Sequence, residues 1–169
     1  MAVGLLVTGA IGIVVGVVLW AKSGSHDDRS RATPSGQAFV LGTPRPASAP
    51  FVGLTETQLL VGSRCVRVAV ADDLSERVRG LRGRRDLGRY GAMLFVFPAP
   101  IDVGFTMSTV PVPLEIGFYA ADGSPVSRRH MKPCPHSEAE CPVYRAAAAF
   151  AYALERPTGK ALPRALSSC

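Results

Sequence analysis

Hydrophobic and polar positions divide this chain into three regimes. The first is an unbroken apolar run, "MAVGLLVTGAIGIVVGVVLWA", residues 1–21, with no charged side chain and Thr8 as its only hydroxyl. It lacks the polar face of a core helix. As a helix it would extend roughly 31 Å, close to the hydrocarbon thickness of a bilayer. The second regime, residues 22–50, has no strand or helix period. It is rich in Ser, Gly, Pro, Thr and Ala, with "AFVLG" as one apolar island, and reads as a flexible linker.

The third regime, residues 51–169, carries the alternation of a globular domain. "FVGLTETQLLVGS" leaves strand and loop open. In "RCVRVAV", Val66, Val68 and Val70 fall on one face and Cys65, Arg67 and Ala69 on the other, the pattern of a half-buried strand. "DDLSERVRG" predicts a short helix: Asp73 can cap it, Glu76 completes a capping box, and Gly80 suits a left-handed C-terminal cap. "AMLFVF", ending at Pro98, predicts a buried strand, and "VGFTM" follows before Pro111 and Pro113 interrupt. "LEIGFYA" leads into Asp122-Gly123, a hairpin turn that "PVSRR" leaves as the partner strand. "FAYALE" predicts a late strand with Phe150, Tyr152 and Leu154 on one face. The expected fold class is mainly β (α+β): a compact curled sheet or partial barrel with one short helix, preceded by a single transmembrane helix.

Chain length fits one domain plus an extension, since 169 residues less the first two regimes leave about 120 for a core. A cleaved signal peptide is the competing reading of residues 1–21. No basic residue precedes the run, and bulky Leu19 stands two before Ala21, which suits cleavage poorly. Trp20 and Lys22 instead resemble an interfacial belt, so residues 1–21 are expected to stay in membrane lipid as an anchor. Gly12-x-x-x-Gly16 would allow close helix pairing, a common pattern in apolar segments. Orientation is contested. Lys22, Arg29 and Arg31 follow the run, which by the positive-inside rule keeps the domain in the cytoplasm. Paired cysteines favour an oxidising exterior. The expectation adopted is an extracytoplasmic domain.

The net charge of +6 belongs to the soluble part, where Arg77, Arg79, Arg82, Arg84, Arg85 and Arg89 cluster in "ERVRGLRGRRDLGR". Such a cluster is a solvated loop or a contact for anionic lipid headgroups, to which a tethered domain is already close. No aromatic residue interleaves the arginines, so a stacking platform for nucleic acid is not expected.

The densest candidate chemistry is "HMKPCPHSEAECPVY", residues 130–144. A metal site would use His130, Cys134, His136 and Cys141. Pro133 and Pro135 forbid the helix that would align such ligands, and the usual closely spaced cysteine knuckle is absent. A nucleophilic Cys134 would need a base and protection from Cys141. The pair also lacks the C-x-x-C redox spacing. A Cys134–Cys141 disulfide needs only an oxidant and a bend, and closing that loop contributes about 2.5 kcal/mol by chain entropy. The disulfide is the leading reading and the metal set the alternative. Cys65 reads as a small buried hydrophobe, with a bridge to Cys169 left to geometry.

Among carboxylates, Asp122 has a turn to set. Glu115, between Leu114 and Ile116, faces solvent or enters a small pocket, and Arg79 is its candidate partner as ion pair or anion hook. Met107 reads as core before it reads as a copper ligand. Arg79, Met107 and Glu115 together make a candidate ligand site. Phosphate loop, nucleophile elbow and Rossmann fingerprint are all missing from the sequence, so no cofactor is expected.

Arg79-Gly80-Leu81, "GAMLFVFP", Phe105-x-Met107, Pro113-Leu114-Glu115-Ile116-x-Phe118 and Asp122-Gly123 resemble the domain of unknown function 192 family over about residues 65–155. The resemblance implies a small β-rich fold, often exported or anchored, with no established activity. Relatives are also similar around Pro133-Cys134 and Cys141-Pro142-x-Tyr144. Where the family usually has Trp-Met-Lys-Asn-Thr, this chain has Thr106-Met107-Ser108-Thr109-Val110. Glu115 stands for the usual Asp, and "GKALPRALSSC" lacks the family's closing Gly-Asp-x-Val strand, which predicts an unpaired sheet edge. The function expected is a membrane-tethered binding or accessory domain without catalysis of its own. A metal-binding protein and, more distantly, a hydrolase around Glu115 and Arg79 are the alternatives.

Overall fold

Apolar residues on both sides of the strand pleat bury the middle of a seven-stranded sheet from two directions. The computed structural model describes residues 37–169. In chain order it contains β1 (Arg45–Pro46), β2 (Thr55–Val61), β3 (Arg64–Ala71), α1 (Leu74–Arg79), β4 (Ala92–Ile101), β5 (Gly104–Thr106), β6 (Leu114–Tyr119), β7 (Pro125–Met131), a 3-10 turn (Glu138–Glu140), β8 (Val143–Arg145) and β9 (Phe150–Pro157). The main sheet has the order β1-β2-β3-β4-β9-β6-β7, and β5 pairs with β8 in a separate ribbon. Its neighbours are antiparallel except β3 and β4, whose parallel pairing requires the crossover that carries α1.

The fold is mainly β with one short α-helix. The sheet is not closed: β1 and β7 stand at its two ends. Charge explains how one end survives unpaired: β7 exposes Arg128, Arg129 and His130 along its edge. The other end is shared. β1 covers Thr55 and Glu56 of β2. The last residues of the chain cover the remainder, with Leu60 N–H donating to the Ser167 carbonyl at 2.8 Å and an isolated bridge joining Leu59 to Ser168. The edge expected to be bare for want of a closing strand is therefore paired. Cys65 and Cys169 form a disulfide that clamps this segment, and Cys65 is exposed rather than a buried hydrophobe.

One core contains Met93, Phe95, Leu114, Ile116, Phe118 and Phe150; the other contains Leu59, Val68, Leu94, Tyr119 and Leu154. β3 is consequently not half-buried throughout, because Ala69 and Ala71 enter the first core while Val68 enters the second. Phe150 also leaves the face of Tyr152 and Leu154, since the β4–β9 register shifts between Val96 and Ile101. Within the described part of the expected linker, individual residues dock on the domain: Phe39 donates its N–H to the Ala121 carbonyl and stacks edge-on to Tyr152 at 5.4 Å, and Ala47 is buried. Residues 1–21 lie outside the described residues, among which no helix is long and apolar enough to cross a membrane.

Candidate functional site

The short helix α1 begins as its sequence dictates. Asp73 accepts from the Glu76 N–H at 2.8 Å, and the Glu76 carboxylate accepts in return from the Asp72 and Asp73 N–H groups. At Gly80 the backbone turns with φ +46° and ψ −133°, outside the left-handed helical region expected of the cap but still a conformation that favours glycine, while a Cβ there would meet the Phe95 ring at an ordinary contact distance of 3.4 Å. No α1 residue is buried. Leu74 and Val78, one helical turn apart, are 72% and 62% exposed.

Because these side chains do not fill the space over the sheet, a pocket of about 440 Å³ lies between α1 and the β4–β5 segment. That volume falls within the usual range for small-molecule sites. Phe95, Phe97, Val103, Phe105 and Val110 supply much of its apolar wall. Phe95 and Phe105 meet edge-to-face at 5.1 Å, which fixes the wall's shape.

One carboxyl faces this apolar surface. Glu155 on β9 lies between Met93 of β4 and Ile116 of β6, on the face that Ala153 shares. It is 5% exposed and lines the pocket. Its side chain makes no hydrogen bond or ion pair among the described residues. Burial pushes its pKa up to about 8, so at neutral pH the group is chiefly an uncharged acid that can donate as well as accept.

Three arginines line the same pocket and differ in what holds them. Arg77 donates to the Val96 and Asp72 carbonyls and lies over the Phe97 ring at 5.1 Å. Arg82 donates to the Ser108 carbonyl and pairs with Glu138 at 3.0 Å. Arg79 is exposed and has no polar partner among the described residues. The rest of the arginine cluster is dispersed: Arg84 stacks on Phe51 at 4.6 Å, and Arg89 approaches Glu56 at 3.9 Å.

The cysteine loop supports the pocket from behind. Cys134 and Cys141 are bonded, with an S–S distance of 2.01 Å, and both are buried. Thr109 N–H donates to the Cys134 carbonyl at 2.8 Å, and Ser108 Oγ donates to the His136 carbonyl at 2.9 Å. The staple thereby holds the segment that supplies Thr106 and Val110 to the pocket.

The residues singled out from sequence are not gathered in one place. Arg79 reaches the pocket, whereas Met107 is fully buried in the first core. Glu115 alternates with core-facing Leu114 and Ile116, points to the other face, and meets His130 Nδ1 at 2.8 Å. Hence Arg79 and Glu115 do not form the expected pair. Asp122 accepts from the Ser124 hydroxyl and N–H, which hold its carboxyl below the usual range, and it stays with its turn. The alternative metal set is not assembled: Cys134 and Cys141 are bonded to each other, His130 is with Glu115, and no group of three or more metal-ligating side chains gathers among the described residues. Sequence reasoning missed Glu155. Its only signal is a carboxylate inside "FAYALE", at the position that shares a face with Ala153.

The model of the DUF192 family, Uncharacterized ACR, matches residues 57–167. No protein of curated function matches the chain. A crystal structure from Sinorhizobium meliloti, of a protein provisionally named a transcription regulator, is 30% identical, with TM-score 0.51, over 62% of this chain and 80% of that one. A protein of unknown function from Novosphingobium aromaticivorans shares the fold at 24% identity and TM-score 0.55, over 70% of this chain and 83% of the other.

Proposed function

This chain belongs to the DUF192 family of uncharacterised proteins, and from that premise we propose that it is a non-catalytic binding module whose ligand site is the α1 pocket. The observation that carries this reading is Glu155, a buried carboxyl without a partner among the described residues, at the wall of a mostly apolar cavity whose other charged lining residues are Arg77, Arg79, Arg82 and Glu138. The side-chain atoms sealed from solvent without a hydrogen-bond partner among the described residues are Thr55 Oγ1 and Arg67 Nη1, so the Glu155 carboxyl is instead open to the cavity and to a ligand that hydrogen-bonds to it there. Among the described residues that line the pocket there is no Ser, Cys or His to serve as nucleophile or imidazole base. Thr106 carries the one hydroxyl on that lining and has no base within hydrogen-bond reach among the described residues, which favours binding over acyl transfer.

The reading places the domain outside the cytoplasm, tethered to membrane lipid through residues 1–21. Its support is chemical: the two disulfides require an oxidant to form and persist. The arginine cluster contributes at most a local contact with anionic headgroups, since Arg77, Arg82, Arg84 and Arg89 already have partners within the fold. For the same reason the provisional name of the Sinorhizobium protein is not carried over as nucleic-acid binding.

The test is methyl NMR of the full chain in zwitterionic bilayer discs, with decanol as a neutral apolar probe. Saturable shifts confined to the methyl groups of Leu74, Val78, Val103 and Val110 are expected. Absence of saturable shifts there, or equal shifts over the whole surface, overturns the reading.

A further inference from the structure

We infer that the pocket recognises a linear anionic amphiphile at both ends, with a carboxylate head at Arg79 and a hydroxyl or carbonyl oxygen at the buried end beside Glu155. The inference rests on the pocket being a ligand site and adds the class of ligand.

Charge sets the outer end. The lining contains Arg77, Arg79 and Arg82 against Glu138 and Glu155. Arg82 and Glu138 neutralise each other at 3.0 Å, and Arg77 is turned onto two backbone carbonyls and the Phe97 ring. Arg79 remains exposed and without a partner, so the mouth is positive and its available donor is a guanidinium, which grips carboxylates in bidentate fashion. A cationic head would meet repulsion there.

The wall and rim set the body. Phe95, Phe105 and Val110 are apolar and packed, and leave room for a chain without further charge. Leu74 and Val78 continue the apolar surface outward along α1. A chain seated in the pocket covers the two most exposed apolar side chains of the helix.

Glu155 sets the inner end. A plain methyl terminus would leave its carboxyl as unpaired as it is in the empty pocket, whereas a terminal hydroxyl or carbonyl gives it a hydrogen bond. With Glu155 uncharged at neutral pH, it can donate that bond to an oxygen acceptor. A ligand amine is the other way to satisfy a buried carboxyl, and the positive mouth disfavours it.

Calorimetry on the full chain in zwitterionic discs, with empty discs as reference, tests each end with four ten-carbon probes: decanoate, ω-hydroxydecanoate, α,ω-decanediol and decylammonium. The ω-hydroxy acid is expected to bind about fivefold tighter than decanoate, the yield of one added hydrogen bond. Both carboxylates should bind tighter than the diol and far tighter than decylammonium. Arg79→Gln, at an exposed position, should weaken the two carboxylates about tenfold, the yield of one charge-assisted contact, and leave the diol unchanged. Glu155→Leu should abolish the preference for the hydroxy acid over decanoate. Decylammonium binding as tightly as decanoate, or no loss on Arg79→Gln, overturns the inference while diol binding keeps the pocket reading. Failure of every probe, the diol included, overturns both.

Discussion

Arg82 reaches Glu138 at 3.0 Å and so joins the segment after α1 to the loop that Cys134 and Cys141 close. The same guanidinium donates to the Ser108 carbonyl, and Ser108 Oγ donates to the His136 carbonyl. Helix end, pocket wall and disulfide loop are therefore one connected structure.

Replacing both Cys134 and Cys141 by Ser should lower stability by about 2.5 kcal/mol, the chain-entropy value for a loop this short. Urea unfolding reads this as a lower midpoint, with a slope equal to or slightly steeper than that of the bridged protein because the unfolded chain is released. A variant with the wild-type midpoint would mean that the bridge only decorates a loop held by its hydrogen bonds.

Glu155 gives stability a pH dependence of unusual sign for a carboxyl. In the unfolded chain it ionises near its ordinary value of 4.5, while in the folded protein it holds its proton up to about 8. Below the first value both states are protonated and the group is neutral in the balance. Between the two values only the unfolded state loses the proton, so stability falls as pH rises, and above about 8 the loss is complete. Glu155→Gln should remove this slope and raise stability at pH 7 by about 3 kcal/mol, with little change at pH 4. Thermal unfolding of both proteins across that range checks it, and parallel pH profiles would refute it.

Thr109 occupies left-handed backbone at φ +59°, an outlier for a β-branched residue. The family resemblance places an asparagine at this position, and Asn tolerates that conformation. Thr109→Asn should stabilise by about 1 kcal/mol, a rise in Tm of about 3 °C. A fall in Tm would show that the hydrogen bond from Thr109 Oγ1 to the Ser108 carbonyl outweighs the backbone term.

Features that depend on neighbours in the chain were legible in the sequence. The capping box of Asp73 and Glu76, the Asp122-Gly123 turn with its flanking strands, and the short span from Cys134 to Cys141 all formed where local chemistry put them. Features that depend on strand order were not. β9 inserts between β4 and β6, so the small side of "FAYALE" faces a core and carries Glu155 into a pocket. Ala69, on the Cys65 and Arg67 side of β3 by alternation, enters the first core together with Ala71, beside Phe51, Leu54, Leu81 and Leu87. The Cys65–Cys169 bridge needs the terminus to run beside β2, which no spacing rule reports. The pairing of Arg79 with Glu115 failed because alternation along β6 turns Glu115 away from the pocket.

The central claim is that Glu155 is a buried, unpaired acid whose carboxyl opens onto the pocket, and its side-chain carboxyl carbon can be followed by NMR as pH is varied. The account predicts a resonance, absent in Glu155→Gln, that titrates near 8 and moves higher still when decanol fills the pocket. Titration at the ordinary glutamate value, unmoved by decanol, would contradict it.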